Sequence, residues 1–180
     1  QIIGKTLDDS AGEVFDKVAR HLGLPYPGGP EISKMSGKIK SSPYNFPRPM
    51  INTKCYDFSF SGLKTHVTQL INKTKLNDKI ISEIAFDFEN SIIDVLISKT
   101  LKASQNLKIK NIVIAGGVSA NRKLRERFEN EKNDSTIYFP DLEFSTDNGA
   151  MIAYMGWLKS KLTFKNTLEI NPEPSSRFIR

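Results

Sequence analysis

The run NIVIAGGVSANRKLRERF, residues 111–128, constrains the fold more than any other part of the chain. A short β-branched stretch ends in Gly116-Gly117 and passes at once into an amphipathic pattern, which reads as a buried parallel strand, a glycine turn and a helix. A second short apolar run, STIYFP, follows, and then STDNGAMIAYMGWLKSK, a further helical pattern in which the small residues Gly149, Ala153 and Gly156 allow close packing. Strand, helix, strand, helix in that order calls for an α/β layered domain with a parallel centre.

Upstream, QIIGKTL reads as a strand already in progress. DDSAGEVFDKVARHLG predicts a helix: Val14, Phe15, Val18, Ala19 and Leu22 share a stripe, Glu13, Asp16 and Arg20 face the other way, and Gly23 ends it. LPYPGGP reads as a proline-glycine turn, and residues 31–54 read as irregular, proline-punctuated chain. DFSFSGLKT suggests a short strand with Phe58 and Phe60 on one face, followed by a Ser-Gly turn. From Asn77 to Ser104 the apolar pattern is that of a long helix inside the core. The tail NPEPSSRFIR is expected to be loose.

With 38% hydrophobic and 26% charged residues, the chain has the composition of one ordinary globular domain. No apolar run is long enough to cross a bilayer, and the first residues do not form a secretory leader, which points to the cytoplasm. Cys55 has no internal disulfide partner, and one cysteine with His21 and His66 cannot build a zinc cluster. The net charge of +6 suits a polyanion such as RNA, although heavy use of Lys, Asn and Ile gives the same sign from AT-rich coding alone. The opening on QIIGKTL without methionine is that of a piece of a longer protein or a processed chain.

Several residues could carry chemistry, each beside a structural reading. Gly116 and Gly117 before a helix present backbone N–H groups to an anion, or simply allow tight strand-to-helix packing; the string is neither a P-loop nor GxGxxG. Asn121 could bond a ligand or cap its helix. Asp16 could accept ribose hydroxyls or pair with Arg20 one turn on, and Gly29 could let a ligand rest on the backbone or serve the turn. Lys64 could meet an anionic substrate, or SGLKT could be a helix start. Asp147 could be a helix cap, a metal ligand or a general base.

Taken in order, DDSAGEVFDKVARHLGLPYPGGP, FPRPM, DFSFSGLKT, AGGVSANRKLRERF and TDNGAMIAY resemble the TsaD-type threonylcarbamoyl transferases, a family within the sugar kinase, Hsp70 and actin superfamily. The resemblance implies an actin-like, RNase H-like C-terminal lobe over residues 1–160, with a mostly helical insertion around 31–110, a basic tail over 161–180, and the N-terminal lobe absent. It implies that the complete protein moves threonylcarbamoyl from threonylcarbamoyl-AMP to N6 of the adenosine next to the anticodon, releasing AMP. Asp16, Gly29 and Asn121 fall at the family's substrate positions, with Gly116 and Gly117 on the adenosine side. Asp147 falls at a metal-ligand position whose two histidine partners, spaced HxxxH, belong to the missing lobe. The implied metal is Fe2+ or Zn2+. The implied partners are tRNA, the absent lobe, a TsaB-type paralogue and a TsaE-type ATPase. Without its other lobe the chain is expected to be inactive and to self-associate through uncovered apolar surface. The rival readings are a non-catalytic nucleotide-binding or assembly module of the same fold and a related kinase or carbamoyltransferase. No HExxH or Ser/Cys triad supports a peptidase.

Overall fold

The computed structural model describes residues 1–160, so the expected basic tail lies outside the described residues. Two compact units divide the chain, Gln1–Thr146 and Asp147–Arg180.

In the first unit, helix α1 (Ala11–His21) forms where the apolar stripe predicts it, with Val14, Phe15, Val18 and Ala19 buried. The Ser10 hydroxyl accepts the Glu13 N–H as its cap. Gly23 follows at φ +73°, a left-handed position that closes helices and suits glycine. The expected turn at PGGP is instead the start of helix α2 (Gly28–Ser36), so residues 31–36 are helical rather than irregular. Two contacts explain the difference. The Asp16 carboxylate accepts the Gly28 N–H at 2.8 Å, serving as a cap supplied from α1. A Cβ on Gly28 would lie 2.6 Å from Ala19 Cβ and 2.7 Å from Asp16 Cα, so this glycine exists for helix-to-helix approach.

Helix α3 (Ser61–Lys73) begins at the Ser-Gly pair, which is therefore a helix start and not a loop. Its first N–H groups are met by Asp8, which accepts from Phe60 N at 2.8 Å and Ser61 N at 3.3 Å and also from the hydroxyls of Ser59 and Ser61. Phe58 and Phe60 do share a face, their rings stacked at 6.1 Å. The opening QIIGKTL makes only an isolated parallel bridge, Thr6 to Phe58, in place of a full strand.

Helix α4 (Asp78–Leu107) is the spine, about 45 Å long at 1.5 Å per residue. Asn77 caps it through Ile80 N at 2.9 Å. Ile84, Ala85, Phe88 and Ile92 join α1, α2 and α3 in the larger core, and Ile93 and Ile97 join Leu124, Phe128 and Ile137 in a smaller one. Beyond it, strand β1 (Asn111–Val113) pairs in parallel with β2 (Thr136–Tyr138), Ile112 opposite Ile137, with helix α5 (Arg122–Glu131) as the crossover. The α/β class and parallel pairing are thus present. Burial of the strand is not: Val113 is 73% exposed and Tyr138 50%. Among the described residues the sheet has two strands, so each keeps an unpaired edge there. Beside β1 lies an apolar groove of about 310 Å³ lined by Ile3, Tyr56, Phe58, Ala103, Leu107 and Val113 among others.

The second unit carries helix α6 (Gly149–Ser160), none of whose residues is buried. Among the described residues, no atom lies within 4 Å of a Cβ built on Gly149 or Gly156.

Candidate functional site

The site is built around α2. At its first turn, Gly28 is tied to Asp16, and Gly29 has no atom within 4 Å of where a Cβ would stand. About one and a half turns on, the Ser33 hydroxyl accepts from Asn121 Nδ2 at 3.0 Å. Asp16, Gly29 and Asn121, widely separated in sequence, thus converge on one short helix. The Asp16–Arg20 pair expected as the structural alternative does not form: the ion pair on that face is Lys17 with Glu13, at 2.6 Å.

Residues 117–120 form a 3₁₀ turn between β1 and α5. Gly116 takes φ +87°, which a side chain would strain, and both Gly116 and Gly117 have open space on the Cβ side. The turn rests on α1, where Val118 Cγ2 lies 3.6 Å from a Cβ built on Gly12. Asn121 caps α5 by accepting Leu124 N at 2.9 Å, while its amide also donates to Glu89 Oε1 at 2.8 Å. Ser119, within the turn, is 1% exposed, and its hydroxyl has no partner among the described residues. Beside Asp16 a cleft of about 420 Å³ opens, lined by Lys17, Arg20, Leu24, Pro25, Tyr26 and Gly28. The Asp16 carboxylate, the Arg20 guanidinium and an exposed tyrosine ring line a place suited to a polar, ring-bearing ligand, while Lys17 is already paired with Glu13 and Asp9.

Two groups escaped sequence reasoning. Glu89, 1% exposed, sits mid-α4 among apolar neighbours and receives Ser33 Oγ at 2.6 Å, Asn121 and the Lys123 ammonium at 3.1 Å. Burial pushes its carboxyl up, but the Ser33 and Ser36 hydroxyls, Lys123 and the Asn121 amide outweigh burial and hold it below the usual glutamate range. Its signal was an acid on the buried stripe between Phe88 and Ile92. Asp8 was the other; burial pushes its carboxyl up, but the Ser59 and Ser61 hydroxyls and the Phe60 and Ser61 N–H groups bring it to about 2.

The remaining motif residues serve the scaffold. Lys64 is spent on Asp9 at 2.5 Å, where Lys17 also binds at 2.9 Å, so it offers no anion site of its own. Arg48 of FPRPM pairs with Asp87 and Asp94 on α4. His66 packs edge-on against Phe46. In the second unit, the cap expected of Asp147 is made by Asn148, whose Oδ1 accepts Met151 N at 2.9 Å. Asp147 stands one residue before that cap. Among the described residues no group of three or more His, Cys, Asp or Glu is placed to hold a metal ion.

A family model described as "TsaD: tRNA N6-adenosine threonylcarbamoyltransferase" matches residues 1–154. A protein of that name from Thermosipho africanus is 47% identical over 96% of this chain and 53% of its own length. One from Buchnera aphidicola is 49% identical over 97% and 53%, and one from Ralstonia pickettii 46% identical over 88% and 48%. The chain spans about half the length of these curated relatives.

Proposed function

The chain belongs to the family of tRNA N6-adenosine threonylcarbamoyltransferases, and from that premise we propose that it supplies the adenylate-facing part of a site that transfers threonylcarbamoyl from threonylcarbamoyl-AMP to N6 of an adenosine beside the anticodon of tRNA. The observation that carries this is the convergence of Asp16, Gly29 and Asn121 on α2, bonded through Gly28 and Ser33. Asp16 uses one oxygen on Gly28 and turns its other to a ribose hydroxyl. The bare backbone at Gly29 lets the nucleotide lie close. The Gly116-Gly117 turn, with N–H groups at its start, receives the adenosine side of the adenylate.

The metal implied by the resemblance, iron or zinc, would take Asp147 as one ligand. The donor set present does not fit a metal site by itself, since a single carboxylate leaves most of the coordination unfilled and no cluster of three ligating side chains occurs among the described residues. The chemistry assigned to this chain therefore passes through no metal. Binding and orientation are its share: holding the adenylate fixed so that the carbamoyl carbon meets the incoming amine in one geometry. On this reading the rest of the site, including an HxxxH segment, is supplied by a half that this chain does not span, and the chain by itself is inactive.

The assembled protein takes tRNA as substrate and works with a TsaB-type paralogue and a TsaE-type ATPase in the cytoplasm. Among the described residues no helix is long and apolar enough to cross a membrane. The test mixes the 180-residue chain with a separately produced complementary half carrying HxxxH and measures threonylcarbamoyl-AMP-dependent modification of tRNA. Activity in the mixture alone, lost with Asp16→Ala, is expected. An inactive mixture despite demonstrated association would overturn the reading in favour of a binding module.

A further inference from the structure

Glu89 touches none of the open surface, yet it is bonded to α2 and to the cap and first turn of α5. Ser33 belongs to α2, Asn121 is the α5 cap that ends the glycine turn, and Lys123, which also donates to Ser36 of α2, lies in the first turn of α5. A carboxylate can only accept hydrogen bonds. Facing Glu89, the Asn121 amide must therefore present its NH2 inward, which leaves its oxygen for the Leu124 N–H. Ser33 follows the same direction, accepting from Asn121 Nδ2 and donating to Glu89 Oε1. The hydrogen-bond polarity that links α2 to the α5 cap is thus set from two ends, by the Leu124 N–H and by one buried carboxylate that a ligand cannot reach.

We propose that Glu89 is a positioning residue: it fixes the orientation of the Asn121 amide and so holds the Gly116–Asn121 turn in register with Gly29 and Asp16 across α2. The proposal rests on the reading of those residues as the adenylate site, and it makes a separate claim about the free chain. A neutral amide in place of Glu89 could turn an N–H toward Asn121 Nδ2, so the Asn121 amide would be held by the Leu124 N–H alone and would lose its hold on the α2 side. A buried ion pair that served stability alone would have no such effect on a neighbouring amide.

The experiment compares the 180-residue chain with Glu89→Gln. In the ligand-free proteins, hydrogen exchange of the Asn121 side-chain amide is followed by NMR, the signal being assigned by its loss in Asn121→Asp. AMP is then titrated into each. Exchange about tenfold faster and AMP binding about tenfold weaker are expected in Glu89→Gln, the loss typical of a hydrogen bond to a charged group. Ser33→Ala, which keeps the carboxylate and removes the hydroxyl relay, is expected to fall between, and it decides the matter should Glu89→Gln not fold. Asp94→Asn breaks ion pairs to Arg48 and Arg127 on the same helix; it should lower the melting temperature without altering either readout. Unchanged Asn121 exchange in a folded Glu89→Gln or Ser33→Ala chain would overturn the proposal, as would faster exchange with unchanged AMP affinity. If the wild-type chain shows no response to AMP, the adenylate reading is what fails, and the exchange comparison still decides whether Glu89 holds Asn121.

Discussion

Ser119→Ala should make the ligand-free chain more stable, which is the reverse of what deleting a buried hydroxyl usually does. The Ser119 side chain is 1% exposed and its Oγ lacks a partner among the described residues. An unmet buried hydroxyl costs about 1–3 kcal/mol, and removing it relieves that cost at the expense of a void smaller than a methyl group. A net gain of about 1 kcal/mol follows, or roughly 2–4 °C in melting temperature for a domain of this size. Two controls bracket the result. Ser91 is equally buried but donates to Asp87 O at 2.8 Å, so Ser91→Ala should lose about 1 kcal/mol. Thr68 on α3 has the other unpartnered buried hydroxyl, and Thr68→Val should gain about as much as Ser119→Ala. The assay is thermal unfolding with and without AMP. Because the Ser119 hydroxyl is as closed to a ligand as Glu89 is, AMP should raise the melting temperatures of wild type, Thr68→Val and Ser119→Ala equally. A Ser119→Ala chain that melts lower than wild type by as much as Ser91→Ala refutes the reasoning.

Asp8→Asn should weaken the α3 cap by about 1 kcal/mol, read from the urea midpoint. Because the folded carboxyl titrates near 2 against an ordinary 3.8, its contribution is complete above pH about 4 and fades as pH falls toward about 2; the variant's acid-unfolding curve by circular dichroism should lack that component, and an unchanged curve would remove Asp8 from the account. Gly28→Ala places a methyl 2.7 Å from Asp16 Cα and 2.9 Å from Phe15 O, backbone atoms that cannot swing away, so it should cost about 1–3 kcal/mol by the same midpoint, whereas Gly29→Ala, with nothing within 4 Å, should cost a few tenths. The open β1 edge and groove should drive self-association of the chain, and Val113→Lys should suppress it; a light-scattering mass that does not change with concentration in the unmutated chain would count against this.

The helices were legible because their signals are local. The stripe from Val14 to Leu22 and the long apolar pattern from Asn77 can each be read from spacing, and each lies where expected; of the two readings of Asn121, its side chain makes the cap. What could not be read depends on partners far along the chain. PGGP looked like a turn because nothing in its own residues announces that Asp16, twelve positions earlier, will cap it. The two glycines of that string are alike in sequence, yet Gly28 is jammed against α1 and Gly29 stands open. The NIVIA run was rightly a parallel strand, but its expected burial assumed neighbours on both edges, and among the described residues it has one. Glu89 was overlooked because a long apolar helix hides a single acid whose bonds are all made by other elements.

The motif strings are distinctive largely because their polar residues are bonded to one another. Asp8 and Asp9 of the first clamp the start of SGLKT; Asp16 of EVFDK caps the helix begun by PGGP; Arg48 of FPRPM is held by Asp87 and Asp94; and Asn121 of AGGVSAN closes on Glu89. Such mutual bonds demand specific residues without any ligand, so a motif's specificity does not by itself mark a site. Beside surface groups such as Arg20, the first unit leaves uncommitted the second oxygen of Asp16, the bare backbone at Gly29 and the open Gly116-Gly117 turn. These belong to α1, α2 and the turn between β1 and α5, which touch one another through Gly28, Val118 and Asn121. Function is best sought where the scaffold has left hydrogen-bonding capacity unused, and in this unit such groups stand where α1, α2 and the turn before α5 meet.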